Sequence, residues 1–177
     1  MNNILKPSIR YGLILAVVSI VAGTLLTLVE MNLMLMGILF LVVVLGPMVF
    51  WVLFAIRVRK ANNNTFSYQQ ALLSLVIIAF ISMFLGQVWN TVYIKYINPG
   101  MIEQMAEKTA EGMIEMGMSA DDPQIEETVR QIEESNDMGV QWRKFMWNTV
   151  VMLVLSLIIA AIIKKQPGQS DNLNAAM

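Results

Sequence analysis

A chain of 177 residues that is 56% hydrophobic, with a net charge of only -1 and a mean hydropathy of +0.60, is too apolar for an ordinary soluble domain of its size. It has no histidine and no cysteine, which removes disulfides, thiolate chemistry, Ser-His triads and the commonest zinc and copper ligands together. Its acid is concentrated: from 98 to 140, eleven Asp or Glu face only Lys108 and Arg130, a balance that excludes nucleic acid as a partner because phosphate contacts need a basic surface.

Residues 11–29 carry no charge until Glu30 and have the length of a helix that crosses a hydrocarbon core of about 30 Å. Lys6 and Arg10 before them resemble the start of a signal peptide. The long apolar run and the lack of a small-residue cleavage site favour an uncleaved anchor. A second span is expected at 33–56 after a minimal turn at 30–32, with Gly46 and Pro47 inside it as the site of a kink. The third, 68–96, is entered through "NNNTFSYQQA", where the hydroxyl of Thr65 or Ser67 can cap the first turn. The fourth is expected at 145–163. The tail 165–177, with Pro167, Gly168 and Ser170, reads as disordered.

Lysine and arginine fix a direction. Lys6 and Arg10, then Arg57, Arg59 and Lys60, then Lys164 and Lys165 all fall on one side of a four-span chain, which the positive-inside bias assigns to the cytoplasm. The acidic segment then lies outside. Lys95, Arg143 and Lys144 are dissenting charges at the other border, where Trp89, Tyr93, Tyr96, Trp142 and Trp147 form an aromatic belt. The sequence thus reads as an all-α integral membrane protein: transmembrane segments within 1–97 and 142–164, and an acidic two-helix exoplasmic insertion at 98–141.

Close approach of helices in lipid depends on small residues. Gly12, Ala16, Ser19, Gly23 and Thr27 make one face of the first span, Ser82, Gly86 and Asn90 a stripe on the third, and Ser156 and Ala160 a shorter one on the fourth. These are the expected helix-packing faces. No Asp, Glu, Lys or Arg lies well inside a span, so a proton relay or membrane-embedded acid–base enzyme has no candidate residue. Gln87, Asn90 and Asn148 remain as a small polar group toward the outer end, for a ligand or for interhelical hydrogen bonds.

In the insertion, Asn98 and Pro99 reset the chain into an amphipathic helix from Pro99 to Met118. Ile102, Met105, Thr109, Met113 and Met116 follow one face, and Glu103, Glu107, Glu111 and Glu115 form an acid ridge. A second helix restarts at Asp122 and Pro123 with Ile125, Val129 and Ile132 as its stripe, and Arg130 within reach of Glu126 or Glu133. Ser135 to Gly139 breaks the chain before the last span. Ile102, Met105, Met113, Met116, Ile125 and Val129 are the expected interaction face. Six methionines between 101 and 138 raise a thioether Cu(I) site. With no His or Cys to support a metal, gap-filling on a helical face is the simpler reading, and no cofactor is expected. The acid ridge lacks the turn that gathers oxygens around Ca²⁺.

The run "FSYQQALLSLVI" at 66–77, the span ending "YIKYINPGMIEQM" at 93–105 and the start "YGLILAVV" at 11–18 together resemble the bacterial membrane family known as domain of unknown function 4199. The resemblance runs from about Tyr11 to Ile163. It implies four helical spans with a charged helical insertion between the third and fourth, and supplies no activity, cofactor or catalytic residues. The chain is therefore expected to be a non-enzymatic accessory or interaction protein of the bacterial inner membrane, with both termini cytoplasmic. Its expected partners are the lipid bilayer and either a second copy or another membrane or exoplasmic protein. A small transport component built by oligomerisation around the Gly12 to Thr27 face is the alternative.

Overall fold

The computed structural model describes the backbone of residues 2–28 and 33–165 and the side chains of 3–25 and 45–165. It contains α1 (Asn2–Leu28), α2 (Leu33–Ala61), α3 (Tyr68–Val92) running into a π-helical turn (Tyr93–Ile97), α4 (Met101–Glu115), α5 (Pro123–Glu134) and α6 (Met138–Ile163). Among the described residues there is no strand; a single bridge pairs Phe66 with Lys165. The expected turn at 30–32, the side chains of Thr27 and of 33–44, and the tail from 166 onward lie outside the described residues.

Three stretches among the described residues are long and apolar enough to cross a membrane: Asn3–Leu25, Tyr68–Ile97 and Met138–Ile163. The expected span 33–56 falls in α2, where the first twelve side chains are not described. The first span begins earlier than the charge pattern predicts. Lys6 and Arg10 suggested a polar leader, yet the helix already runs from Asn2 through Pro7, with Ile4 and Ser8 buried. Both cations sit on the exposed side of that helix and leave the opposite side free to pack. The last helix likewise starts at Met138, ahead of the predicted Phe145. Asp137 caps it, its Oδ1 accepting from Val140 N at 3.0 Å, so "QWRKFMWN" is helical rather than a lead-in.

Packing makes α3 the central helix, with α1, α2 and α6 against it; α1 also packs on α2, and α4 packs on α5. Side-chain bonds show how the helices run. Ser8 Oγ donates to Ile4 O at 2.8 Å and shares a hydrogen bond with Ser74 Oγ at 2.9 Å. Arg59 Nη1 donates to Ile163 O at 3.2 Å, and Phe66 and Lys165 exchange backbone hydrogen bonds of 2.7 Å. The start of α1, the end of α2, the start of α3 and the end of α6 therefore meet at one end of the molecule, called here the Phe66 end.

The core sits at that end. Trp51, Val58, Phe66, Leu75 and Ile78 are fully buried, and Trp51 Nε1 donates to Leu75 O at 2.9 Å. The loop that inserts Phe66 is set by polar chemistry. Asn63 and Asn64 take left-handed backbone angles (φ 53° and 55°), which asparagine tolerates better than most residues. Asn62 and Thr65 then exchange side-chain-to-carbonyl bonds of 2.8 and 2.9 Å. Of the two predicted caps for α3, Ser67 serves: its hydroxyl accepts from Gln70 N while Gln70 Oε1 accepts from Ser67 N, a capping box. Elsewhere the helices leave much apolar surface uncovered, including Val17, Val21, Leu25, Val150, Val154 and Ile162. Such outward faces suit contact with hydrocarbon rather than water.

Candidate functional site

Along the predicted α1 packing face the contact with α3 is uneven. At Gly12 a side chain would be crowded: an added Cβ would lie 3.0 Å from Ile81 Cβ and 3.3 Å from Ile78 O, so a larger residue would need α3 to give by a few tenths of an ångström. Ala16 is also buried. One turn further the helices part. Ser19 and Gly23 of α1 and Gly86 of α3 line a cleft of about 230 Å³, and nothing lies within 4 Å of a Cβ added at Gly23 or Gly86. Ser82 spends its hydroxyl on Ala79 O at 3.0 Å. On α6, Ser156 and Ala160 are fully buried, in keeping with the predicted stripe.

The cleft is closed above by aromatic side chains. Trp89 Nε1 donates to Thr24 Oγ1 at 3.1 Å, joining α3 to α1, and the Trp89 and Tyr93 rings are 6.2 Å apart. Asn90 and Met101 complete the wall, and among the described residues no carboxylate, ammonium or guanidinium lines it. Such a wall can hold a neutral, partly apolar group by packing and a few hydrogen bonds.

The predicted polar group is divided. Asn90 faces the cleft, whereas Gln87 Nε2 donates to Gln141 Oε1 at 3.1 Å and so ties α3 to α6. Thr91 reaches the same Gln141 oxygen at 3.4 Å, and Gln141 Nε2 donates to Asn136 O at 3.3 Å. Asn148 lies apart, beside Arg143, Lys144 and Trp147. Gln141 was not singled out from the sequence because it stands outside the predicted span; α6 starting at Met138 is what brings it against α3.

At Tyr93 the α3 helix widens into the π-turn, closed by Asn98 N donating to Tyr93 O at 2.8 Å. Tyr93 and Ile94 are buried and Tyr96 and Ile97 exposed. Such turns insert one residue into a helix and often mark functional positions. Asn98 ends this turn rather than capping α4. The Pro99–Gly100 step intervenes, Gly100 takes the cap position without a side chain, and Asn98 contributes its carbonyl to Met101 N at 3.1 Å.

The acidic helices use part of their predicted interaction face on each other. Ile102 and Ile125 are buried, with Ala106 and Gly112; Met113 and Val129 are half-buried; Met105 and Met116 stay exposed, as does Ile114. α4 ends at Glu115, before the predicted Met118. Gly117 has φ +95°, Gly117 N bonds Ile114 O at 2.9 Å and Met118 N bonds Met113 O at 3.2 Å, a Schellman stop. The "MIEMGM" run is thereby accounted for as a helix terminus. Among the described residues no group of three or more carboxylates is placed to hold a metal ion.

Arg130 pairs with Glu127 (2.6 Å) and Glu134 (3.7 Å) instead of the predicted Glu126 or Glu133. Gln131 also donates to Glu127 at 2.9 Å, so Glu127 gains two partners from one side of the helix. Those bonds, the Gln131 amide first and then Arg130, hold its carboxyl below the ordinary value; Glu127 in turn pushes the Arg130 guanidinium up.

The family model described as protein of unknown function (DUF4199) matches residues 10–165. The chain belongs to that family. The matched region takes in the whole acidic segment, so α4 and α5 fall within the family's own extent. No curated protein and no solved structure matches the chain.

Proposed function

We propose that this member of the family is a four-span protein of the bacterial inner membrane, with α2 as the fourth crossing and both termini in the cytoplasm. In this reading α4 and α5 form an exoplasmic docking surface for another membrane or exoplasmic protein. The observation that carries it is the separation of charge. Lys6, Arg10, Arg57, Arg59, Lys60, Lys164 and Lys165 belong to the Phe66 end, while eleven carboxylates lie between 98 and 140. Positive charge retained on the cytoplasmic side explains the first group. Docking explains why the α4–α5 pair leaves Met105, Ile114 and Met116 exposed beside an acid ridge. Methionine surfaces adapt to more than one partner shape.

The function is non-enzymatic in this proposal. The α1–α3 cleft holds neither a nucleophile with a base nor a set of metal ligands. A permeation role is the weaker reading, because Gly12 is taken up by α3 and Ala16 is buried within one chain, which among the described residues leaves Ser19 and Gly23 of that face toward the cleft.

Absence of native cysteine makes the test direct. Single cysteines replace Gln124 in one variant and Asn63 in another, and intact cells are treated with an impermeant maleimide. Labelling at 124 alone is expected; labelling at 63 alone would invert the topology and move the acidic helices into the cytoplasm. Met105→Ser with Met116→Ser should then reduce partner recovery after crosslinking, and an unchanged set of crosslinked proteins would sink the docking role. The purified double variant should keep its helix content, since both side chains are exposed.

A further inference from the structure

Among the described residues, Arg143 and Lys144 at the acidic end make no ion pair. Arg143 and Lys144, near the start of α6, are exposed, and among the described residues every ion pair belongs to Arg130. They share their helix face with Trp147 and Asn148, each four residues on, and the four line an open depression of about 460 Å³. Trp147 is 68% exposed. The depression thus places two positive heads and an amide beside an uncovered indole.

Its position along α6 is informative. Between Lys144 and Lys164 the chain carries no charge, and that separation corresponds to about 30 Å of helix, the thickness of a hydrocarbon core. Lys164 is on the side where cations are expected. Arg143 and Lys144 stand at the other border, against the bias that places cations inside, and their own acidic helices do not neutralise them.

We propose that Arg143, Lys144, Trp147 and Asn148 form a binding site for the phosphate of an anionic phospholipid headgroup in the outer leaflet. The two cations take the phosphate oxygens, the Asn148 amide donates to a neighbouring headgroup or ester oxygen, and Trp147 lies against the first acyl carbons. The assignment rests on α6 crossing the membrane as proposed above. It explains why cations are tolerated at this border, since the lipid supplies the negative charge that α4 and α5 withhold.

The test measures retention of phosphatidylglycerol against phosphatidylcholine on the delipidated full-length protein in neutral detergent, by native mass spectrometry. Wild type is compared with R143Q/K144Q and with K108Q/R130Q, which removes the same charge from α4 and α5. Wild type should prefer phosphatidylglycerol, R143Q/K144Q should lose that affinity by on the order of tenfold, and K108Q/R130Q should keep it. Both replaced side chains in R143Q/K144Q are exposed, so the variant is expected to fold. Equal retention of the two lipids by wild type, or an undiminished preference in R143Q/K144Q, overturns the proposal. Displacement of the lipid by millimolar inorganic phosphate would reveal a general anion site and overturn the headgroup assignment. Loss of a dimer in R143Q/K144Q with lipid preference intact would assign the cations to a second copy's acidic helices, which also overturns it. Release of the wild-type chain from membranes by alkaline carbonate would sink the membrane reading itself, a result that depends on neither residue.

Discussion

The two ends of this molecule are built by different means. At the Phe66 end, large side chains from four helices and a loop close around one another, and Trp51, Ser8 and Arg59 give their polar atoms to neighbouring helices. At the π-turn end α1 and α3 part. Among the described residues a cleft, the rings of Phe80, Phe84 and Trp142 around Phe145, and bonds such as Trp89 to Thr24 and Gln87 to Gln141 are found there, with the paired acidic helices following in the chain. A membrane bundle needs only one well-packed end to fix the relation of its helices, and the other is then free to present surface. In lipid this division is natural, because interhelical packing must be made by shape at particular residues rather than by a general expulsion of water.

Substitutions can break or sharpen the contrast. The largest effect is expected for Phe66→Ala, a fully buried ring whose loss should destabilise by about 3–5 kcal/mol. Thermal unfolding in detergent checks this, and a melting temperature within a degree of wild type would show that the Phe66 end is not the anchor. Next come three glycines on the predicted packing faces. Gly12→Ala should cost about 1–3 kcal/mol, because its Cβ would meet Ile81 and the Ile78 carbonyl. Gly23→Ala and Gly86→Ala should instead be neutral or stabilise by up to about 1 kcal/mol, since both positions are open and alanine favours helix. Equal effects at all three would mean that the cleft closes. Gln141→Leu should remove the α3–α6 tie for about 1 kcal/mol or less, read by the same melt.

The smallest effect is a pH dependence in α5. Glu127 has a folded pKa below its unfolded value, so its bonds with Gln131 and Arg130 contribute fully above the unfolded carboxylate pKa. That contribution fades as pH falls through the lowered one. Helicity of the acidic segment should therefore drop more on acidification in wild type than in Glu127→Gln, followed by circular dichroism. The group is exposed, and a difference lost in high salt is the expected behaviour.

Much of the architecture was legible in the sequence because apolar length, small-residue spacing and turn chemistry act locally. The runs at 68–96 and 145–163 needed only hydropathy, and Asp122 with Pro123 announced the start of α5, where Asp122 Oδ1 does accept from Gln124 N at 2.9 Å. Gly12 and Ala16 followed from their four-residue spacing. What was not legible depended on partners distant in the chain. Ser8 carried no sign of burial until Ser74 was placed against it, and Trp51 could not be told from any other aromatic in a span. The division of the Gly12–Gly23 face into a tight half and an open half comes from the divergence of two helices, and composition carries no trace of it. Gln141 and Gln87, fifty-four positions apart, became a pair only through the fold.

The π-turn gives the chain a phase control. Because it accommodates an additional residue between Tyr93 and Ile97, it sets the angle at which everything after Asn98 leaves the α3 axis. Because the wide turn absorbs that residue, deleting one there would restore ordinary helical winding and leave the direction of exit nearly unchanged. Drawing all five residues into ordinary winding would instead turn the acidic pair by about 100°, the rotation of one helical step. α1, α2, α3 and α6 would keep their packing in either case, and only loss of the wide turn with its residue retained would carry the exposed methionines toward a different side. The wide turn in "YIKYI" thus holds the direction of presentation against a change in length.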